Sequence, residues 1–259
     1  MKVLITGAGR GIGAAIAEAV AGGWSGAQLV LTDRTLSNDL EAVRTRLEGR
    51  GAQVQVMAAD LGEPASVAPL VERASAAFDG LDAVVSNAGI TGPGPLNELA
   101  LESWDRLMNV NVRAAWLLAK SAHAALKHSR GCFLAVASTA GMNPYPTMGA
   151  YSTSKAALLM LCRQLAQEWA SDGIRVNTIS PGMVRTPLSE VVYRDPALKA
   201  EREALIPIGE VASAADIADV AVFLLSKQAR YITGHNAVVD GGFLDSLNSH
   251  IPGHSVAPD

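Results

Sequence analysis

Seven short runs rich in Val, Ile and Leu recur along the chain, at residues 2–6, 27–32, 53–57, 81–86, 131–137, 174–180 and 235–239. Each is a nearly continuous apolar stretch, the pattern of a strand buried on both faces. Between them lie longer segments, near 12–23, 37–50, 64–79, 102–129, 150–172 and 213–227, in which Ala, Leu, Glu and Arg recur at helical spacing. Strand and helix in alternation predict an α/β fold: a seven-stranded parallel sheet, doubly wound by helices on both faces.

Two regions break this rhythm. Residues 187–210 carry Pro187, Pro196 and Pro207 among many charges and predict a mobile lid over a site; residues 243–259, with Pro252, Gly253 and Pro258, predict a frayed end or a subunit contact. No linker, repeat or low-complexity block appears elsewhere, so residues 1–259 are expected to form a single domain. A hydrophobic content of 49% is enough to bury a large core.

A formal net charge of -4 and the lack of any basic block argue against nucleic acid or an anionic membrane as partner. No stretch approaches the roughly 20 apolar residues of a membrane span, and Val3-Leu4-Ile5 is too short for a signal core. Cys132 and Cys162 sit in apolar contexts and read as buried thiols, which favours a reducing compartment and a cytoplasmic location. No metal site is expected. His250 and His254 are four apart, but Pro252 between them opposes a helix.

The first predicted strand ends at Thr6 and runs into Gly7, Gly9, Gly11 and Gly13, with Arg10 and Ile12 among them, before helical spacing begins. Glycines let the backbone approach a diphosphate, and a helix N-terminus offers it free N–H groups and a positive dipole. A plain glycine-rich turn is the competing reading, opposed by the strand before it and the helix after it.

Far downstream, Tyr151 and Lys155 stand four apart in Tyr-Ser-Thr-Ser-Lys, on one face of a predicted helix. A free phenol has a pKa near 10 and is a poor base at neutral pH, whereas an adjacent cation can lower it by roughly 1–3 pH units. Lys155 is the expected cation and Tyr151 the expected acid/base for proton transfer at a carbonyl or alcohol oxygen.

The spacing Thr-Gly-x-x-x-Gly-x-Gly resembles that of the short-chain dehydrogenase/reductase family, and the resemblance covers about residues 2–243. Further matches are Asp60-Leu61, Ser86-Asn87-Ala88-Gly89, Asn111 in Val-Asn-Val, Ser138, Tyr151, Lys155 and Pro181-Gly182 followed by Thr186. Ser86 stands where the family often has a second Asn. The resemblance implies a Rossmann-type fold and an oxidoreductase that interconverts a secondary alcohol and a ketone by hydride transfer to or from a nicotinamide cofactor.

It also implies roles. Asp60, with Leu61, would hold the adenine; Asn87, Ala88 and Gly89 would line the adenosine ribose side and steady the sheet. Thr186 would meet the nicotinamide amide, with Pro181, Gly182 and Val184 at the same end. Lys155 would bind the nicotinamide ribose and Ser138 would polarise the substrate oxygen. Asn111, a poor helix former, would open its helix and hold a water linking Lys155 to solvent, the alternative being an ordinary polar helix residue.

Cofactor choice turns on Asp33, at the end of the second strand. A carboxylate there can accept both ribose hydroxyls and repels a 2′-phosphate. Arg10 and Arg34 argue the other way, since they stand where family members that use NADP carry basic residues. Like charges a few ångströms apart cost on the order of 1–4 kcal/mol, comparable with what two cations recover. NAD is the expected cofactor and NADP the less favoured one.

Asn143, Tyr145, Met148, Met183, Val184 and parts of 187–205, with Tyr193 and Arg194 as polar candidates, are the substrate walls the family implies. They fit a small-molecule alcohol or ketone. The apolar stripes of 102–129 and 150–172 imply a homotetramer, with a dimer next. Competing readings are an NADPH-dependent ketoreductase resembling a 3-oxoacyl carrier-protein reductase, a non-catalytic dinucleotide sensor, and an epimerase or dehydratase.

Overall fold

Strands form here where apolar residues are supplied to both faces at once. In β1 (Lys2–Thr6), Val3 and Ile5 enter one core while Leu4 enters the other. The computed structural model describes residues 1–187, 189–247 and 251. In chain order β1 is followed by α1 (Gly11–Gly23), β2 (Gln28–Asp33), α2 (Asn38–Glu48), β3 (Gln53–Ala58), α3 (Pro64–Ala77) and β4 (Ala83–Ser86). Next come α4 (Leu101–Met108), α5 (Ala114–Ser129), β5 (Cys132–Val136), α6 (Tyr151–Trp169) and β6 (Arg175–Pro181). The short β7 (Val184–Arg185), α7 (Glu190–Tyr193), α8 (Pro196–Glu203) and β8 (Ala212–Ser213) precede α9 (Ala214–Leu225) and β9 (Asn236–Val239).

Seven strands form one parallel sheet in the order β3-β2-β1-β4-β5-β6-β9, while β7 and β8 pair separately. Helices α1, α2 and α9 cover one face, burying Ile16, Leu40 and Ile217. Helices α3, α5 and α6 cover the other with Leu70, Leu118 and Leu158. Phe133, the largest fully buried side chain, sits in that second core. Because successive crossovers leave β1 in opposite directions, a crevice opens beyond the carboxyl ends of β1 and β4. The candidate cofactor residues from the first half of the chain lie at that edge, in the loops after the strands, at the end of β2 (Asp33) and in the first turn of α1 (Gly11, Ile12 and Gly13).

Two departures from the sequence pattern bear on the site. The predicted helix 102–129 is two helices, α4 and α5, joined by a π-helical turn, Asn109–Arg113. The segment 187–210 contains α7 and α8; Asp195 accepts from the amides of Ala197 and Leu198, and Pro196 pre-sets the first turn of α8. Of the tail 243–259, Phe243–Asp245 form a 3-10 turn. Residues 248–250 and 252–259, with His250, Pro252 and His254, lie outside the described residues.

Truncating the ring that fills the second core, Phe133→Ala, should cost about 3–5 kcal/mol. Urea denaturation checks this, and an unchanged midpoint would show that this core does not depend on the ring.

Candidate active site

The crevice is built on a knot of hydrogen bonds between β1 and β4. The Thr6 hydroxyl accepts from the amides of Asn87 and Ala88, at 3.0 Å each, and the Asn87 side-chain amide donates to the carbonyls of Thr6 at 2.9 Å and Gly7 at 3.1 Å. The two strand ends are thereby locked together, and the glycine turn that leaves Thr6 starts from a fixed point. A Cβ on Gly13 would lie 2.2 Å from the Gly7 carbonyl oxygen, so the turn closes only with glycine there. The turn delivers the first amides of α1 to the crevice, N–H groups for which the helix itself provides no acceptor.

At the outer end of the turn, Asp33 is oriented by two backbone donors: Oδ1 accepts from Arg34 N at 2.8 Å and Oδ2 from Gly9 N at 3.4 Å. Asp60 accepts from Gly62 N at 2.9 Å, which curls the loop after β3 under the crevice, and Leu61 is buried behind it. Arg10, Gly11, Ile12 and Arg34 complete this end of the lining.

Toward the other end, Tyr151 and Lys155 both face the crevice from the first turns of α6, with the Lys155 ammonium 5.8 Å from the centre of the Tyr151 ring. Lys155 is only 4% exposed, and its Nζ donates to the Val136 carbonyl at 2.8 Å. Burial pulls its pKa down to about 8. Ser138 caps the 3-10 turn Thr139–Gly141, accepting from Ala140 N at 3.1 Å. A Cβ on Gly141 would lie 2.7 Å from the Lys155 carbonyl carbon; glycine there lets this turn seat against α6 and brings Ser138 beside Tyr151.

The expected lowering of the phenol pKa by Lys155 is not what the geometry produces. Burial raises Tyr151 above its ordinary value; the Ser138 hydroxyl offsets part of that and Tyr145 adds to it. The ammonium is directed at the Val136 carbonyl instead, and its own charge is disfavoured by the same burial.

At Asn111 the helix opens as the π-helical turn, and the side chain bonds within the protein: Oδ1 accepts from Ile90 N at 2.9 Å, and Nδ2 donates to the Ile90 carbonyl and to Ser154 Oγ, at 3.0 Å each. Both amide hydrogens are thus used within the protein. Asn111 ties the loop after β4 to α6, which holds Tyr151 and Lys155 in register with Gly89.

Beyond β6, Gly182 N donates to Val239 O at 3.0 Å and Thr139 Oγ1 to Pro181 O at 3.3 Å, which fixes the loop after β6. Thr186 N donates to Ser189 Oγ at 3.0 Å. Ala88, Gly89, Val184 and Thr186 line the crevice, which encloses about 1050 Å³. The expected substrate residues Asn143, Tyr145, Met183 and Tyr193 lie outside that lining. Arg194 is directed to solvent beside Glu190, at 4.0 Å.

The sequence pattern assigned no role to Ser154 or Ser189, nor to Glu102, Asp105 and Arg106 of α4, which line the crevice. Their roles arise from contacts between segments far apart in the chain. Among the described residues, no group of three His, Cys, Asp or Glu side chains is placed to hold a metal ion. No helix among them is long and apolar enough to cross a membrane.

A family profile described as enoyl-(acyl carrier protein) reductase matches residues 7–244. The Bos taurus dehydrogenase/reductase SDR family member 4 is 37% identical over 94% of this chain and 87% of its own length. The 2-(S)-hydroxypropyl-CoM dehydrogenase 3 of Xanthobacter autotrophicus is 36% identical over 93% of this chain and 95% of its own. A crystal structure from Beutenbergia cavernae, with NADP bound at low occupancy, superposes with a TM-score of 0.87 at 36% identity, covering 94% of this chain and 96% of that one. With the locked glycine turn and the Tyr151–Lys155 pair at one crevice, these matches settle the identity: the chain belongs to the short-chain dehydrogenase/reductase family and is an oxidoreductase that interconverts an alcohol and a ketone with a nicotinamide dinucleotide.

Proposed function

We propose that the protein is an NAD-dependent dehydrogenase of a secondary alcohol, with Tyr151 as the proton donor and acceptor at the reacting oxygen. The observation that carries this reading is that a half-buried phenol and a buried ammonium share the crevice opened by the glycine turn. When bound, the nicotinamide dinucleotide supplies the hydride acceptor or donor. Gly7, Gly9, Gly11, Ile12 and Gly13 would cradle its diphosphate, Asp33 its adenosine ribose, and Asp60 and Leu61 its adenine. Asn87, Ala88 and Gly89 would line the adenosine ribose side. Pro181, Gly182, Val184 and Thr186 would hold the nicotinamide end.

A phenol raised above its ordinary value is protonated at neutral pH, so Tyr151 is poised as an acid, ready to deliver its proton to the oxygen of a ketone under reduction. Ser138, beside it, would donate to the same oxygen and stabilise the developing charge. Lys155 holds the ammonium in place on Val136 and would fix the nicotinamide ribose. In this scheme Asn111 acts by positioning α6 and the loop after β4.

NAD over NADP is supported by the charge around the adenosine end. Asp33, Asp39, Asp60, Glu63, Glu102 and Asp105 line the crevice, against Arg10, Arg34 and Arg106. A 2′-phosphate beside Asp33 would add like charge to an already acidic rim. The NADP seen in the Beutenbergia structure is the observation on the other side. Assembly as a homotetramer is supported by Trp116 on α5 and Met160 on α6, large apolar side chains that stay exposed on the two striped helices. A cytoplasmic location is supported by two buried free thiols.

Tyr151→Phe should lower kcat by roughly 10²–10⁴-fold, with the dinucleotide dissociation constant nearly unchanged; retained turnover would remove Tyr151 from proton transfer. Asp33→Ser should raise the kcat/KM ratio of NADP over NAD roughly tenfold or more, equivalent to ~1.4 kcal/mol, and an unmoved ratio would show that Asp33 does not set selectivity.

Lys155 adds a pH dependence. Its pKa falls from 10.5 in the unfolded chain to about 8 in the fold, so between those values the unfolded state binds more protons and stability rises with pH. Lys155→Met removes that slope. The stability of the variant relative to the parent should therefore be greatest below pH 8 and shrink toward pH 10.5. Urea midpoints across this range check it, and a constant difference would mean that the ammonium is not destabilised by burial.

A further inference from the structure

The loop after β3 lines the crevice with Asp60, Leu61 and Gly62 before α3 begins at Pro64. Most of its shape is local. Gly62 N donates to Asp60 Oδ1 at 2.9 Å, Glu63 N to the Asp60 carbonyl at 3.0 Å, and Ser66 Oγ to that same carbonyl at 2.5 Å. These bonds curl the loop but do not tie it to the rest of the site. Among the described residues, one hydrogen bond reaches residues 60–62 from outside the stretch 59–66: Arg113 Nη2 donates to the Gly62 carbonyl at 2.6 Å, across 51 residues of chain.

That bond falls on the peptide that also holds Asp60. The Gly62 carbonyl and the Glu63 N–H belong to one planar unit, so the unit is gripped from both sides: its N–H is given to the Asp60 carbonyl, and its oxygen receives the guanidinium. Gly62 also lies against Val110, since a Cβ there would come within 3.5 Å of Val110 Cγ2 and 3.1 Å of Asp60 Oδ1. Asp60 Oδ1 is occupied by Gly62 N, while Oδ2 accepts no hydrogen bond from the protein among the described residues.

Arg113 itself is partly buried, and its Nε is buried with no hydrogen-bond partner. Among the described residues no carboxylate lies within ion-pair distance of it. An unpaired buried N–H costs stability, and an apolar side chain would fill space without that cost. The guanidinium is spent on the Gly62 carbonyl. Arg113 ends the π-helical turn Asn109–Arg113, two residues after Asn111, and residues two apart on a helical turn lie on nearly opposite sides. One turn therefore holds α6 and the loop after β4 through Asn111, and the loop after β3 through Arg113.

We infer that Arg113 is a positioning residue for the adenine half of the dinucleotide: by holding the Gly62 carbonyl it sets where the Asp60 carboxylate meets the adenine amino group. This rests on Asp60 meeting that group in the proposed site. Arg113 is outside the crevice lining, so it acts through the loop. A hydrogen bond to the amino group depends on distance and angle, and a loop released from its outside tie no longer holds the carboxylate at either.

The test is calorimetric binding of NAD and of its hypoxanthine analogue, in which a carbonyl replaces the adenine amino group, to the full-length enzyme. The parent should bind NAD roughly 3- to 30-fold more tightly than the analogue. Arg113→Met and Arg113→Gln, which both lose the bond to Gly62, should bring that ratio close to one, and Arg113→Lys, which keeps a donor on a long stem, should restore part of it. Asp60→Ala should abolish the preference alone, and Arg113→Met added to it should not move the ratio further, because the two act in series. A merely structural role for Arg113 weakens both dinucleotides by the same factor; that result, or an unchanged ratio in the folded Met or Gln variant, would overturn the inference and leave Asp60 on the adenine. A parent without the preference, or an Asp60→Ala protein that keeps it, would show that Asp60 does not meet the amino group, and the inference falls with that reading.

Discussion

A buried ammonium hydrogen-bonded to a strand carbonyl holds the catalytic end of this protein together. Lys155 reaches from α6 to Val136, the last residue of β5, and the bond joins the helix carrying Tyr151 to the strand whose end carries Ser138. Taking a charge out of water is costly, and burial brings the ammonium to about 8. The hydrogen bond to the Val136 carbonyl offsets part of that cost.

Around this bond the site is over-determined by polar side chains that never touch a substrate. Asn87 and Thr6 lock β1 to β4, and Asn111 locks the loop after β4 to α6 through Ile90 and Ser154. Both asparagines spend their amide hydrogens on the protein itself, as buried polar groups must. The π-helical turn at Asn109–Arg113 is the local consequence: one extra residue per turn swings Asn111 inward, at the expense of regular helix geometry.

Electrostatics divide the crevice into two ends. The end around Asp33 is acidic, with that carboxylate held by two backbone amides. The other end holds Tyr151 and the Lys155 ammonium, which is bonded to the Val136 carbonyl.

Apolar runs buried on both faces and the helical spacing between them were enough to determine the seven-stranded parallel sheet, because those patterns are local and admit few other burials. The glycine turn and the Tyr151–Lys155 pair were equally legible, since each is a contiguous motif whose spacing carries its own geometry. The sequence did not reveal which neighbours those groups would acquire. That the Tyr151 pKa rises, that Lys155 turns to Val136, and that the Asn111 side chain bonds to Ile90 and Ser154 were all decided by contacts between distant segments. Hydrogen bonding and desolvation act through space, and only the packed structure determines which groups lie close enough to feel them.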